Sequence, residues 1–297
     1  MREQKKYTSV IRYGHKSTIG LLEYGDSIVI QEKIDGANAS FMLDNGKIRA
    51  FSRKLELDET NTLGGFYEWT QTLDKKLLVE GALYFGEWTN RHKIHYPEYE
   101  KQFFLFDIYN TSLGMYMGWW HVELESSTHR LNLVPVLYAG EYKSFVHLLS
   151  FVGQTKLGGR LGDIETGEGI VVKKTDDNNN VFVKLVIEHF REVKKEKAPR
   201  DPQKTTQEQL FVDETVTTAR VEKMLFNLVD ENILDENFGL EDMGTILKNL
   251  NQRVMEDILK EESDSLPEDY NSKWLSKAVA RKVAPTVKQI IATRGGA

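Results

Sequence analysis

A lysine acts as a nucleophile only through its neutral amine, and an ordinary amine with a pKa of ~10.4 is about 0.1% neutral near pH 7.4. Burial, or a second cation nearby, lowers that pKa and makes the amine reactive. Lys33 is a candidate for this chemistry. It stands in Lys33-Ile34-Asp35-Gly36-Ala37-Asn38, directly after a run with strand character. At average composition the pattern Lys-x-Asp-Gly-x-Asn arises about 0.003 times by chance in a chain of this length. Five later segments follow it in order: Ser52-Arg53, Tyr84–Trp88 carrying Glu87, Phe104–Tyr109 carrying Phe106 and Asp107, Glu168–Lys173, and Phe182–Leu185 carrying Lys184. From the third motif on, each sets isolated polar residues among apolar ones, as charged groups at a sheet-lined cleft would be set. Alone, Glu87 or Asp107 reads as a strand-edge charge, Phe106 as core, and Lys173-Lys174 as a solvated strand end. Their order behind the lysine motif is what makes them candidates.

The elements that would position these residues are strands. Short β-branched and aromatic runs (IVIQEKI, ASFML, KIRAF, ALYFGEW, FFLFDIY, GIVVKK, NVFVKLVI) fill the first two-thirds, with helical stretches near Phe66–Leu78 and Lys143–Val152. Asp44-Asn45-Gly46 predicts a hairpin turn. Without regular βαβ alternation, this is an α+β pattern with mainly antiparallel strands. Lys194–Gln209, charged and carrying two prolines, reads as a linker. Beyond it the apolar period becomes helical: Val221, Met224, Leu225, Leu228; then Leu240, Met243, Ile246, Leu247, Leu250; then Trp274, Leu275, Val279, Val283, Val287, Ile290, Ile291. These stripes are read as core. The reading is therefore two domains, a sheet-based one over 1–200 and a small all-helical one over 201–297. Gly158-Gly159-Arg160 fits no glycine-rich phosphate loop and reads as a flexible turn, and His15, His92, His95 and His189 have no site spacing and read as structural.

Composition bounds the function. The 297 residues contain no cysteine, which excludes disulfides, thiolate metal sites and a cysteine nucleophile. No apolar run approaches the ~18 residues that span a bilayer, and the start lacks a signal-peptide core, so a cytoplasmic protein with no membrane partner is expected. The net charge of −6 gives no bulk attraction for nucleic acid. The excess acid lies entirely in 201–297, where Glu256 to Asp269 is acidic while Lys273 to Ala297 carries basic residues and no acid. A second basic cluster runs Arg191, Lys194, Lys195, Lys197, Arg200, Lys204. A polyanion would bind such patches locally and salt-dependently.

The six motifs together resemble the nucleotidyltransferase motifs of the covalent lysyl-AMP ligases, and specifically the bacteriophage RNA ligase 2 family of double-stranded RNA ligases. The resemblance spans about 1–190, and the helical remainder is similar in size and class to that family's C-terminal domain. It implies an antiparallel-sheet adenylyltransferase domain and ATP as co-substrate. It also implies Mg²⁺, with Mn²⁺ as a substitute, and RNA ends as partner. In this resemblance Lys33 attacks the α-phosphorus of ATP, Glu32 reads the adenine amino group, and Ile34 adjoins the nucleotide. Phe106 stacks on the base, Glu87 binds ribose hydroxyls, and Asn38 and Arg53 contact phosphates. Glu168 organises the divalent ion, with Asp107 a weaker candidate, while Lys173 and Lys184 offset triphosphate charge and lower the pKa of Lys33.

Two departures stand out. Asp35 occupies a position where this family usually has histidine, and Lys184 is followed by Val186 where a second lysine is usual, leaving Lys174 and Arg191 as alternatives. The activity implied is joining of 3′-hydroxyl and 5′-phosphate ends at duplex RNA nicks, a form of RNA repair, by a monomer in the cytoplasm of a host cell if phage-encoded. The alternatives are a DNA ligase or RNA-capping guanylyltransferase of the same superfamily, or a non-catalytic nucleic-acid-binding protein. The first two typically append a β-barrel, against the helical period here; the third would not be expected to keep both Lys33 and Glu168.

Overall fold

The strand-rich runs form two sheets. The computed structural model describes residues 4–14, 16–18, 20–90, 92–175, 181–187, 206–267 and 269–294. The chain divides into two compact units, one of Met1–Gly14 and Thr18–Ile187, the other of His15–Ser17 and Glu188–Ala297.

In the first unit, one sheet has the order β1 (Ile11–Arg12), β13 (Phe182–Val186), β12 (Gly169–Lys174), β2 (Ser27–Lys33), β9 (Val136–Glu141). The other runs β4 (Lys47–Ser52), β3 (Ala37–Asp44), β5 (Ala82–Trp88), β6 (Phe103–Asn110), β7 (Met115–Tyr116), with β8 (Asn132–Leu133) beside β6. Pairing is antiparallel except β1 with β13 and β6 with β8. A small hairpin, β10 (Arg160–Leu161) and β11 (Ile164–Glu165), stands apart. The expected turn between β3 and β4 is present, with Asn45 at φ 52° and Gly46 at φ 72°, the two left-handed residues of a type I′ turn.

Each sheet buries one face on its own core. In the first, Ile28, Ile30, Ile170, Val172, Val183 and Leu185 pack with Leu148 of α3 (Phe145–Leu149). In the second, Phe41, Tyr84, Trp88 and Phe103 pack on Phe66 and Trp69 of α1 (Phe66–Gln71), with Phe41 stacked on Tyr84 at 5.0 Å. The remaining faces meet through Phe182, which joins Met42, Phe51, Leu83 and Phe85. The sequence reading missed one helix, α2 (Trp119–His129). Its buried residues are Val122, Ser126 and His129, and its outer face carries Trp120 and Leu124, so apolar periodicity gives no signal there.

The second unit is helical: α4 (Gln207–Thr215), α5 (Thr218–Asp230), α6 (Met243–Glu261) and α7 (Ser272–Arg294). The Thr206 and Thr217 hydroxyls accept the N3 amides that open α4 and α5. The expected stripes are buried or, at Met243, Leu247 and Ile291, half-buried against the same core, apart from two corrections, since Leu240 and Trp274 are more than half exposed. Trp274 lies one residue before the buried line of Leu275, Val279, Val283, Val287 and Ile290, a step of about 100° around a helix. The acidic stretch is not wholly a solvated face: Asp257 and Glu262 turn inward onto the fully buried Arg220, at 3.0 and 2.7 Å. The 201 boundary, most of the linker, the Arg191–Lys204 cluster, His15 and His189 lie outside the described residues.

Candidate active site

Cross-strand pairing decides which side chains share a face. Lys33 pairs with Gly169, Gln31 with Val171, and Val29 with Lys173, while Val171 pairs in turn with Lys184. Directly opposed residues point to the same side, so Lys33, Gln31, Val171, Lys173 and Lys184 share one face of the first sheet. On the second sheet Asn38 pairs with Glu87, on the face that carries Met42, Leu83 and Phe85. These are the two faces that Phe182 joins. Between them the facing side chains are polar where β2 ends and aromatic toward Phe182.

At the polar end the Lys33 amine forms an ion pair with Glu168, with the lysine side chain 27% exposed. Burial pulls the Lys33 pKa down, but Glu168, Glu87 and Asp35 outweigh it and hold the amine above its ordinary value. The expectation of a lowered pKa is therefore corrected for the ligand-free protein: carboxylates, not cations, surround the amine. Burial raises Glu168, against the opposing pull of Lys33. Burial also pushes Glu87 up to about 8, though Lys33 and His92 pull the other way. The turn after Lys33 needs its glycine, because a Cβ on Gly36 would stand 2.6 Å from the Trp88 carbonyl oxygen.

Folded Glu87 keeps its proton to about pH 8, whereas the unfolded chain releases it near 4.5. The folded state thus binds more protons between those values, and this contribution to stability falls as pH rises through them. Urea midpoints measured from pH 5 to 8 should lose that component in Glu87→Gln; an unchanged slope would refute the assignment.

Other candidates lie elsewhere. Glu32, one residue from Lys33, faces the opposite side of β2 and is buried. Its oxygens accept from the Thr155 hydroxyl at 2.6 Å and the Lys156 amide at 2.7 Å. An open acceptor was expected; strand alternation instead makes Glu32 a clamp on the 155–156 loop. Asp107, expected as a weaker metal candidate, holds Lys173 at 2.8 Å and accepts from the Tyr7 hydroxyl. Lys173 is buried, bonds the Phe106 carbonyl, and lies 5.6 Å from the Phe106 ring centroid, so it is an internal cation rather than one open to phosphates. Phe106 sits at a bulge, since Phe85 pairs with Asp107 and Gly86 with Leu105; its ring meets Tyr7 edge-on at 4.8 Å. Ile34 is buried, Arg53 is exposed just after β4, and Lys174 is turned to Asp26 at 3.0 Å.

Two residues read as merely structural take part. His92 Nδ1 lies 3.6 Å from Asp35, Ile94 N–H donates to the same carboxylate at 2.8 Å, and the Asp35 N–H donates to the Tyr96 hydroxyl at 3.0 Å. Burial would raise Asp35, but His92 and the Ile94 amide hold its pKa low. Gly159 is a close approach, not a flexible turn: a Cβ there would stand 2.8 Å from Ile94 and 2.9 Å from Tyr96. Nothing in sequence spacing signals these contacts, because 92–96 meets Asp35 through side-chain hydrogen bonds, and meets 159–160 at the His95–Arg160 bridge, only in the folded chain.

A family profile described as RNA ligase matches residues 26–186, which contain the whole constellation from Glu32 to Lys184. The chain belongs to the RNA ligase family. No curated protein sequence matches it. Among solved structures, a mutant Naegleria gruberi RNA ligase with ATP and Mn is similar at 17% identity and a TM-score of 0.44, over 60% of this chain and 55% of that one. The same ligase with PPi is similar at 19% and 0.46, over 62% and 56%. A third structure, a mutant with AMP and Mn, is similar at 20% and 0.47, over 61% and 55%. This RNA ligase family member thus spans little more than half the length of the solved chains it matches. Among the described residues, no helix is long and apolar enough to cross a membrane.

Proposed function

We propose that this chain is an ATP-dependent RNA ligase of the RNA ligase 2 type. It would join 3′-hydroxyl and 5′-phosphate ends at nicks in duplex RNA through a lysyl-AMP intermediate on Lys33. The observation that carries this is the amine of Lys33 at the cleft margin, held by Glu168 and bordered by Glu87 and Asp35. The same carboxylates that keep the amine protonated are oxygen donors for a cation carried by a nucleotide.

Among the described residues no group of three or more His, Asp or Glu is placed to hold a metal. That suits Mg²⁺, which binds through one or two carboxylates plus substrate phosphates and keeps several waters. Glu168 would be the donor, and Glu87, whose burial favours its protonated form, would join it only on giving up that proton. Such an ion supplies charge neutralisation at the triphosphate. Loss of the Lys33 proton to solvent would free the amine for attack. Its nitrogen forms a bond to the α-phosphorus as the bond to the bridging oxygen breaks and pyrophosphate leaves. A 5′-phosphate oxygen then takes the adenylyl group and returns Lys33 to a free amine. A 3′-hydroxyl finally displaces AMP and closes the phosphodiester. Asn38, Arg53 and Lys184 donate to phosphate oxygens through these transfers, positioning being most of the catalysis. Phe106 offers the base an aromatic face.

The second unit supplies an RNA contact. On α7, Trp274, Lys277, Arg281 and Lys288 share the exposed side, and the helix contains no acidic residue. None of these three cations has a side-chain partner among the described residues. Recognition along such a stripe rests on backbone charge and A-form shape. Replacing Lys277, Arg281 and Lys288 together by alanine should reduce the salt slope of duplex RNA binding by about 2–3 and leave Lys33 adenylylation intact. An unchanged slope would remove this helix from the interface. A monomer acting in the cytoplasm completes the proposal.

The test is a nick-sealing panel with ATP and Mg²⁺, in which the strand supplying the 3′-hydroxyl is RNA or DNA. Sealing that requires an RNA 3′-hydroxyl supports the proposal. Equal sealing of DNA would move the chain to DNA ligation, and no sealing would refute it.

A further inference from the structure

Gln31 is 1% exposed, and its side-chain Nε2 has no hydrogen-bond partner among the described residues. A buried amide left without a partner costs stability and calls for an explanation. Its place supplies one. Gln31 lies two residues before Lys33 on β2, so the two side chains share a face, and its cross-strand neighbour Val171 is flanked in turn by Lys184. It faces the cleft, on the side opposite Glu32, whose oxygens are taken by Thr155 and Lys156.

We propose that Gln31 is a specificity-determining residue, whose amide hydrogen-bonds the base edge of the nucleotide seated at Lys33. This rests on the adenylylation reading above. The charged end of that nucleotide must meet Lys33, so its uncharged end extends along the face that Gln31 and Val171 line. There the cleft turns from the carboxylates around Lys33 toward the rings of Phe106 and Phe182. A primary amide offers a donor and an acceptor side by side, which match the N7 acceptor and N6 donor of adenine, whereas the N7/O6 edge of guanine presents two acceptors. The unsatisfied amide is then a site held ready, satisfied only when the base arrives.

The idea has a signature that a structural role lacks. Gln31→Met keeps length and volume while removing both polar atoms. It should raise the urea midpoint, because the unpaired amide is gone, and at the same time weaken ATP. In single-turnover adenylylation of Lys33 the apparent KM for ATP should rise about 10-fold, with the maximal rate within about 3-fold. The preference for ATP over GTP should shrink in parallel. A lowered midpoint would make Gln31 an ordinary core residue. An unchanged KM and ATP preference would also overturn the proposal. The wild-type protein separates the two levels. If it forms no Lys33-linked adduct, the adenylylation reading fails and this proposal with it. If the adduct forms but Gln31→Met leaves KM and preference untouched, only the role of Gln31 falls.

Discussion

Lys33→Ala should abolish formation of the covalent AMP adduct and lower nick sealing by at least about 10³-fold, the scale of losing a nucleophile outright. The fold should survive the change. Lys33 ends β2 with part of its side chain in solvent, and its backbone pairing with Gly169 does not depend on the amine. Its removal also relieves no strain, for it leaves Glu168, Glu87 and Asp35 without their shared cation. Those carboxyls then hold their protons more tightly, so the variant should be less stable at pH 8 than at pH 6, relative to wild type. Lys33→Arg keeps the cation, restores that pH response and remains inactive, since a guanidinium stays protonated. A Lys33→Ala protein that still carries AMP would place the nucleophile elsewhere.

The second large effect is on folding. Arg220→Ala should destabilise the helical unit by about 3–5 kcal/mol, because it leaves the partners of a fully buried guanidinium without their counter-charge. Arg220 opens α5 beneath the Thr217 cap and reaches the end of α6, at Asp257 and Glu262. Lys223 also lies 3.4 Å from Asp257, so that carboxylate keeps a cation when Arg220 is removed. Arg220→Leu combined with Glu262→Leu should recover much of the loss, as apolar replacements of buried pairs often do. Urea unfolding followed by circular dichroism reads both. A loss under 1 kcal/mol for Arg220→Ala would mean that water reaches the pair.

Most of the fold was legible because strands and helices announce themselves by period. The Asn45-Gly46 turn, the mainly antiparallel strands and the helical C-terminal stripes follow directly from residue types. The α2 helix escaped because its inward residues, Val122, Ser126 and His129, carry no apolar rhythm. The site was legible as a set of residues but not as an arrangement. The sequence places Glu32 beside Lys33, yet alternation on β2 turns it to the other face. Asp107 and Lys173 are each charged residues on candidate strands, and only the meeting of β6 with β12 shows that they neutralise one another. His92 came into view for the same reason, through a contact with Asp35 across 57 residues of chain.

In the proposed reaction Lys33 is the group that accepts AMP. Incubating the protein with ATP and Mg²⁺, then mapping the added adenylyl mass by peptide sequencing, tests it directly. The account predicts a single acid-labile adduct on Lys33, removed by pyrophosphate and absent in Lys33→Ala. An adduct on any other residue, or none, would contradict it.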